Sequence, residues 1–334
     1  LVRLLVPQIG PGFCNASALE SMRGRFCVIG QEHVAGPNGC GTPEEERMEL
    51  SDEIGIAIVG FGNWGPRVAR NFQETEGSPV RAICDPSASA RAQAARRYPG
   101  ARIVEDLQDV LRMDDVAAVY IATPVGTHAN LILAALQSGR DVLVEKPLAA
   151  SAESAEACVR TANANGRILM VGHTFVYSPP VRKLRDILAE DGVGRPYYVD
   201  SSRVNLGLFQ KDVSVLWDLA PHDLSIVQFV TGRRPTAVAC FGRSFLGARD
   251  LEDVVLLNVQ FEDGLIAFLH LSWLAPVKLR RTTVVCERKM IVYDDIEPVE
   301  KIKVFDRRVE RLEVTPSFGD FQLAYRFGDV FSPV

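Results

Sequence analysis

The sequence predicts an α/β chain in which a doubly wound parallel sheet is followed by an α+β domain with a large, mostly antiparallel open sheet. Three observations carry this. A G-x-G-x-x-G spacing stands between a short apolar run and a helix-compatible segment at Ile54–Pro66. From there to about residue 175, short apolar runs alternate with helical patterns joined by brief loops, the signature of parallel β-α-β units. From Pro235 onward the chain turns to long β segments broken by turn signals such as Glu262–Gly264, the pattern of antiparallel strands. The expected boundaries are an N-terminal extension over 1–51, a dinucleotide-binding (Rossmann) domain over 52–175, and an α+β domain over 176–334 for substrate and self-association.

The run IGIAIV at Ile54–Val59 reads as a strand buried on both faces. Gly60 would permit the tight turn after it, Gly62 the approach of a pyrophosphate to the backbone, and Gly65 the close packing of the next helix on the strand. Pro66 suits a first helical turn. The free N–H groups and dipole of that turn favour the diphosphate of a dinucleotide. Asn63 and Trp64 lie within the same loop and join it as candidate cofactor contacts.

Pro79–Asp85 reads as the second strand. Asp85 lies about 20–25 residues past the glycines, where this fold sets an acid on the adenosine ribose. It also stands where a helix N-cap would fall, before SASARAQAARRY. A carboxylate there repels a 2′-phosphate, so NAD is expected over NADP, with Ser87 and Arg91 keeping NADP open. ARIVE is a weak strand, DLQDVLRM an amphipathic helix, and Val116–Pro124 a third core strand whose end should open onto the cofactor. Just beyond it lie Thr123 and His128, with the plain alternative that His128 is only an N-terminal helix residue. HANLILAALQSG is a helix, Asp141–Pro147 a strand, SAESAEACVRTANANG a helix and Arg167–Phe175 a strand. Lys146, after Glu145, itself a candidate cofactor contact, sits at a strand end where an ammonium could hydrogen-bond a substrate oxygen and stabilise alkoxide charge.

In the second domain, SPPVRKLRDILAE reads as a helix, PYYVDSSRVNLG as a strand and WDLAPHDLSIVQFVTG as a helix with a glycine stop. Asp218 and His222 are four apart and share a helical face. Pro221 is expected in the first turn, and a histidine near a helix N-terminus is biased to the neutral form a base needs. Asp218 could orient the imidazole or bind a second hydroxyl; the alternative for the two is a cap and a packed ring. Tyr177, Arg203 and Asn205 offer hydroxyl-binding groups, and Trp217 could floor a sugar pocket or pack in a core.

The composition is 47% hydrophobic and 24% charged, that of an ordinary soluble protein. A net charge of −5 opposes nucleic-acid or polyanion binding, and no apolar run approaches the ~20 residues that cross a bilayer. The seven cysteines include no C-x-x-C pair, pointing to reduced thiols, a cytoplasmic protein and no zinc site. The histidines show no metal-ligand spacing, and no metal is expected. Residues 1 to about 50 carry little periodicity and no secretory pattern. They are expected to be a poorly ordered appendage, with natural translation starting near Met48 or at Met22.

AIVGFGNWGP, Asp85, IATPVGTHA, EKPLA, VGHTF and WDLAPHD, in this order, resemble the Gfo/Idh/MocA oxidoreductases, the family of glucose–fructose oxidoreductase and inositol 2-dehydrogenase. The likeness spans roughly residues 52–330. It implies a nicotinamide cofactor, Lys146 as the lysine of the EKP motif, His222 as acid/base and Asp218 as its companion. It further implies a ring hydroxyl or ketone of a sugar, cyclitol or nucleotide sugar as the reacting group, in a homodimer or homotetramer. Family members usually continue past YRFGDVFSPV, so the chain is expected to be truncated or divergent at its end. A second reading is a non-catalytic dinucleotide sensor on the same fold; the Lys146, Asp218 and His222 set argues against it.

Overall fold

The computed structural model describes residues 53–207, 209–210, 213–246, 251–311 and 323–333. The N-terminal extension expected over 1–51 lies outside them. The chain divides into two compact units between Val171 and Gly172.

The first unit alternates strand and helix. Its strands are β1 (Ile56–Val59), β2 (Val80–Cys84), β3 (Arg102–Val104), β4 (Ala118–Ile121), β5 (Asp141–Val144) and β6 (Leu169–Val171). Its helices are α1 (Gly65–Glu74), α2 (Ala88–Arg97), α3 (Leu107–Leu111), α4 (Val125–Gln137) and α5 (Ala152–Ala164). The strands form one sheet in the order β3-β2-β1-β4-β5-β6, every pair parallel. All four residues of β1 are buried. Ile56 and Ile58 enter one core with Phe61, Ala69 and Ile83, while Ala57 and Val59 enter another with Ile121, Ile132 and Val144. A strand that buries both pleats cannot tolerate polar alternation, which is why this stretch is continuously apolar. The chain order reverses at β1, between β2 and β4, so β1 ends at the topological switch point where such sheets bind ligands.

The second unit opens with a 3₁₀ turn (Thr174–Tyr177), where the sequence suggests continued strand. It then has α6 (Pro179–Leu188), β7 (Pro196–Leu206) and α7 (Val215–Thr231). A β series follows: β8 (Pro235–Arg243), β9 (Val254–Phe261), β10 (Ile266–Ser272), β11 (Leu274–Cys286), β12 (Met290–Asp294), β13 (Ile302–Arg311) and β14 (Leu323–Phe331). The eight strands form one sheet in the order β14-β13-β12-β11-β7-β10-β9-β8. Only β7 and β10 pair in parallel. Alternation along the strands sends Val199, Leu257, Leu269 and Val284 into a core with Leu184 of α6 and Val227 of α7. The opposite face carries Tyr198, Phe241, Leu256 and Phe268, all exposed.

Two local expectations are corrected. Pro221 is inside α7 rather than in its first turn, because the helix begins at Val215. Strands β13 and β14, which the sequence reading does not assign, extend the sheet beyond β12.

Candidate active site

In the first unit the glycine loop leaves β1 with Gly60 at a φ of +92°, and its N–H donates to the Cys84 carbonyl at 2.8 Å. A Cβ on Gly65 would stand 2.0 Å from the Gly60 oxygen, whereas one on Gly62 would meet nothing within 4 Å. Gly65 therefore brings α1 against the loop, and Gly62 leaves its outer side open. Gly62, Asn63 and Trp64 are exposed. Trp64 caps α1 without a side-chain hydrogen bond to the helix, and the Arg67 guanidinium lies 5.0 Å from its ring centroid. A dinucleotide diphosphate is held by backbone N–H groups at a helix start with no side chain in the way, and at Gly62 no side chain stands there.

Asp85 follows β2 and is buried at 9% exposure. One carboxylate oxygen accepts from the Phe61 N–H at 2.7 Å, the other from the Ser87 N–H at 2.8 Å. Each oxygen retains a further acceptor position, so Asp85 ties the glycine loop to the β2 end and can still take ribose hydroxyls. The helix N-cap weighed for Asp85 from sequence falls instead to Ser87, whose side chain accepts from the Ala90 N–H. The Arg91 guanidinium bonds the carbonyls of Asp85 and Pro86 and the Glu105 carboxylate.

Thr123 lies half-buried just past β4, its hydroxyl 2.7 Å from that of Thr127. His128 is 1% exposed. Its Nδ1 is 2.9 Å from the Pro147 carbonyl and its Nε2 2.9 Å from the Thr123 carbonyl. The ring thus stands between the β4–α4 turn and the turn after β5, one nitrogen toward each carbonyl. Glu145 is likewise held: the Tyr120 hydroxyl donates to its carboxylate at 2.6 Å, and its N–H bonds the Ile121 carbonyl at 2.9 Å. Burial first, and the Glu145 charge second, push the Tyr120 phenol far above its ordinary range, so it remains a donor. Lys146, half-buried, is thus bracketed by two anchored neighbours.

In the second unit, α7 carries Asp218 and His222 on one face. The Trp273 indole N–H donates to the Asp218 carboxylate at 3.2 Å. The His222 ring packs against Phe175 of the 3₁₀ turn, centroids 5.1 Å apart and planes at 72°. Tyr177 is 44% exposed with the Arg182 guanidinium 5.8 Å from its centroid. Trp217 and Asn205 are half-buried. Arg203 is 4% exposed and its Nε donates to the Asp223 carboxylate at 2.6 Å. Tyr120, Phe175, Asp223 and Trp273 were not singled out from sequence. The one local signal was the second acid in WDLAPHD.

A family model described as an oxidoreductase family with NAD-binding Rossmann fold matches residues 54–173. Another, described as the GFO/IDH/MocA C-terminal domain, matches residues 181–292. Together they cover most of the chain. The chain belongs to the Gfo/Idh/MocA oxidoreductase family.

Among curated relatives, the 2,7-anhydro-N-acetylneuraminate hydratase of Mediterraneibacter gnavus is 29% identical over 65% of this chain and 61% of its own length. The inositol 2-dehydrogenase of Rhodococcus erythropolis is 29% identical over 65% of this chain and 64% of its own length. The chain thus spans about three fifths of the length of these relatives. The crystal structure of GenD2 from gentamicin A biosynthesis, in complex with NAD, superposes with a TM-score of 0.72 at 25% identity, covering 81% of this chain and 78% of that one. As a Gfo/Idh/MocA protein, the chain carries its EKP segment at the end of β5 and its D-x-x-x-H pair on α7. Among the described residues no group of histidine, cysteine, aspartate or glutamate could hold a metal ion, and no helix is long and apolar enough to cross a membrane. Of the described cysteines, Cys84, Cys158 and Cys286 are buried and Cys240 exposed. Burial pushes Cys84 and Cys286 up to about 12, so they are inert thiols at neutral pH.

Proposed function

We propose that the protein is an NAD-dependent oxidoreductase acting on a ring hydroxyl or ketone of a sugar, cyclitol or nucleotide sugar. The observation that carries this reading is the fixed setting of Lys146. Its neighbours on both sides are anchored, Glu145 by Tyr120 and Pro147 by His128, at the end of β5, the strand beside β4. A lysine needed only for solubility requires no such support.

Gly60, Gly62, Gly65 and Asp85 would hold the dinucleotide, with Asn63, Trp64 and Thr123 around it. When bound, the nicotinamide accepts or returns the hydride. Lys146 hydrogen-bonds the reacting oxygen and stabilises its developing negative charge. His222 takes the hydroxyl proton in oxidation and returns it in reduction, an assistance worth roughly 10²–10⁴-fold. Asp218, fixed by Trp273, orients the imidazole or takes a neighbouring hydroxyl. Tyr177, Asn205 and Trp217 are the candidate substrate contacts. Asp85 favours NAD, since a 2′-phosphate would meet its carboxylate.

Exposed Tyr198, Phe241, Leu256 and Phe268 on the outer sheet face support a homodimer or homotetramer built on that face, because contiguous apolar patches mark association sites. The free thiols support a reducing, cytoplasmic setting. The test is a panel of sugars, cyclitols and nucleotide sugars with NAD. Substrate consumption is followed as well as NADH, because one relative is named a hydratase. Lys146→Ala and His222→Ala should each abolish most turnover while NADH affinity stays nearly intact. Full rates in both variants reject the assignment, and NADH binding without turnover on any substrate favours a sensor.

A further inference from the structure

A charge pair lies inside the second unit immediately beside His222. Arg203 and Asp223 are joined at 2.6 Å with side chains 5% and 2% exposed. The Ser201 hydroxyl donates to the other Asp223 oxygen at 2.8 Å and lies 3.1 Å from the Thr282 hydroxyl. The Arg203 guanidinium carbon is 4.6 Å from the Phe175 centroid, and Phe175 in turn packs against the His222 ring at 5.1 Å. A stack therefore runs from β11 and β7 through α7 to the 3₁₀ turn and back to α7, ending on the proposed acid/base.

We propose that Arg203, Asp223 and Phe175 are positioning residues for His222. The reasoning begins with cost. Removing two charges from water is so unfavourable that an apolar pair of the same volume is often neutral or stabilising. Fold stability is thus a weak account of this pair, and its geometry suggests a better one. Asp223 is the next residue after His222, so its bonds to Arg203 and Ser201 pin that turn of α7 onto β7. The planar guanidinium, held at Nε, presents a flat face to Phe175, which lysine could not do. Phe175, fixed from behind, offers His222 a wall at an aromatic angle, which restricts rotation of the imidazole. The pair sets the helix; the aromatic contact sets the ring.

The inference rests on His222 being the acid/base, and the experiment separates the two. His222 is one of five histidines, so its ring signals can be assigned by NMR through loss in His222→Gln. The Arg203→Met/Asp223→Leu double variant keeps the volume apolar, and Phe175→Leu removes the wall while leaving the pair. Both should shift or broaden the His222 ring signals. Both should lower kcat by about tenfold or more, as misplacement of a reacting group does, with NADH affinity and KM within about twofold. Arg203→Lys should fail to restore the signals. Unchanged His222 signals in the folded variants overturn the inference, whatever the rates. Altered signals with full turnover in His222→Ala would retain the positioning and reject the acid/base role.

Discussion

Gly62→Ala and Gly65→Ala should separate the cofactor cradle from the fold. At Gly65 the added Cβ would sit 2.0 Å from the Gly60 oxygen and 3.0 Å from the Gly60 carbonyl carbon. Both obstacles are backbone, so no rotamer relieves the clash, and the β1 end and the α1 start must part by about 1 Å. Overpacking costs about 1–3 kcal/mol, and the rigid partners place this case at the upper end. A loss near 3 kcal/mol lowers the melting temperature by roughly 6–12 °C for a protein of this size. At Gly62 nothing lies within 4 Å, and exposed substitutions of this kind stay within about 0.5 kcal/mol. Its melting should therefore match the parent. The new methyl would nonetheless occupy the approach to the loop N–H groups. Losing one hydrogen bond to a charged group, about 1.5–3 kcal/mol, weakens NADH binding by about 10- to 100-fold. Thermal melts and NADH fluorescence titrations read the two effects independently. Equal destabilisation of both variants, or NADH affinity within twofold in Gly62→Ala, would refute the reasoning.

Asp85→Ala removes the acceptor of the buried Phe61 N–H, so it should cost about 1–3 kcal/mol in a melt. It should also raise the NADP-to-NAD ratio of kcat/KM; an unchanged ratio rejects the ribose role. His128→Ala strips the Thr123 and Pro147 carbonyls of their bridge. It should lower kcat by loosening the turn around Lys146 while NADH affinity stays near the parent value. An affinity loss as large as that of Gly62→Ala would instead make His128 a cofactor contact.

The first unit was legible because its central strands β1 and β4 are buried on both pleats. A continuous apolar run and a glycine spacing are local properties of the sequence. What surrounds Lys146 was not legible. Tyr120 reaches Glu145 across adjacent strands, and His128 reaches Pro147 from another helix. Such pairings exist only once β4, β5 and α4 are assembled. Arg203 shows the same limit more sharply. Its sequence setting offers a hydroxyl-binding group, yet it lies on the buried face of β7 with Val199 and Ser201. An arginine is buried only when a partner meets it, and that partner comes from α7. Strand β13 was obscured by its charge, although Ile302 and Val304 alternate into the core.

Pro221 bears most directly on mechanism. Local rules place a proline in the first helical turn, but α7 begins at Val215 and Pro221 lies inside it. The N–H it lacks is the one that would bond the Trp217 carbonyl, so packing against the sheet must offset the local cost. The same shift moves His222 beyond the first turn, where the helix dipole loses its influence. What acts on the ring is its immediate surroundings: Phe175 packed against it at a steep angle, the Arg203 guanidinium over Phe175 and paired with Asp223, and Asp218 one turn earlier, held by Trp273. The surroundings of the proposed base are tertiary contacts that the D-x-x-x-H spacing marks but does not contain.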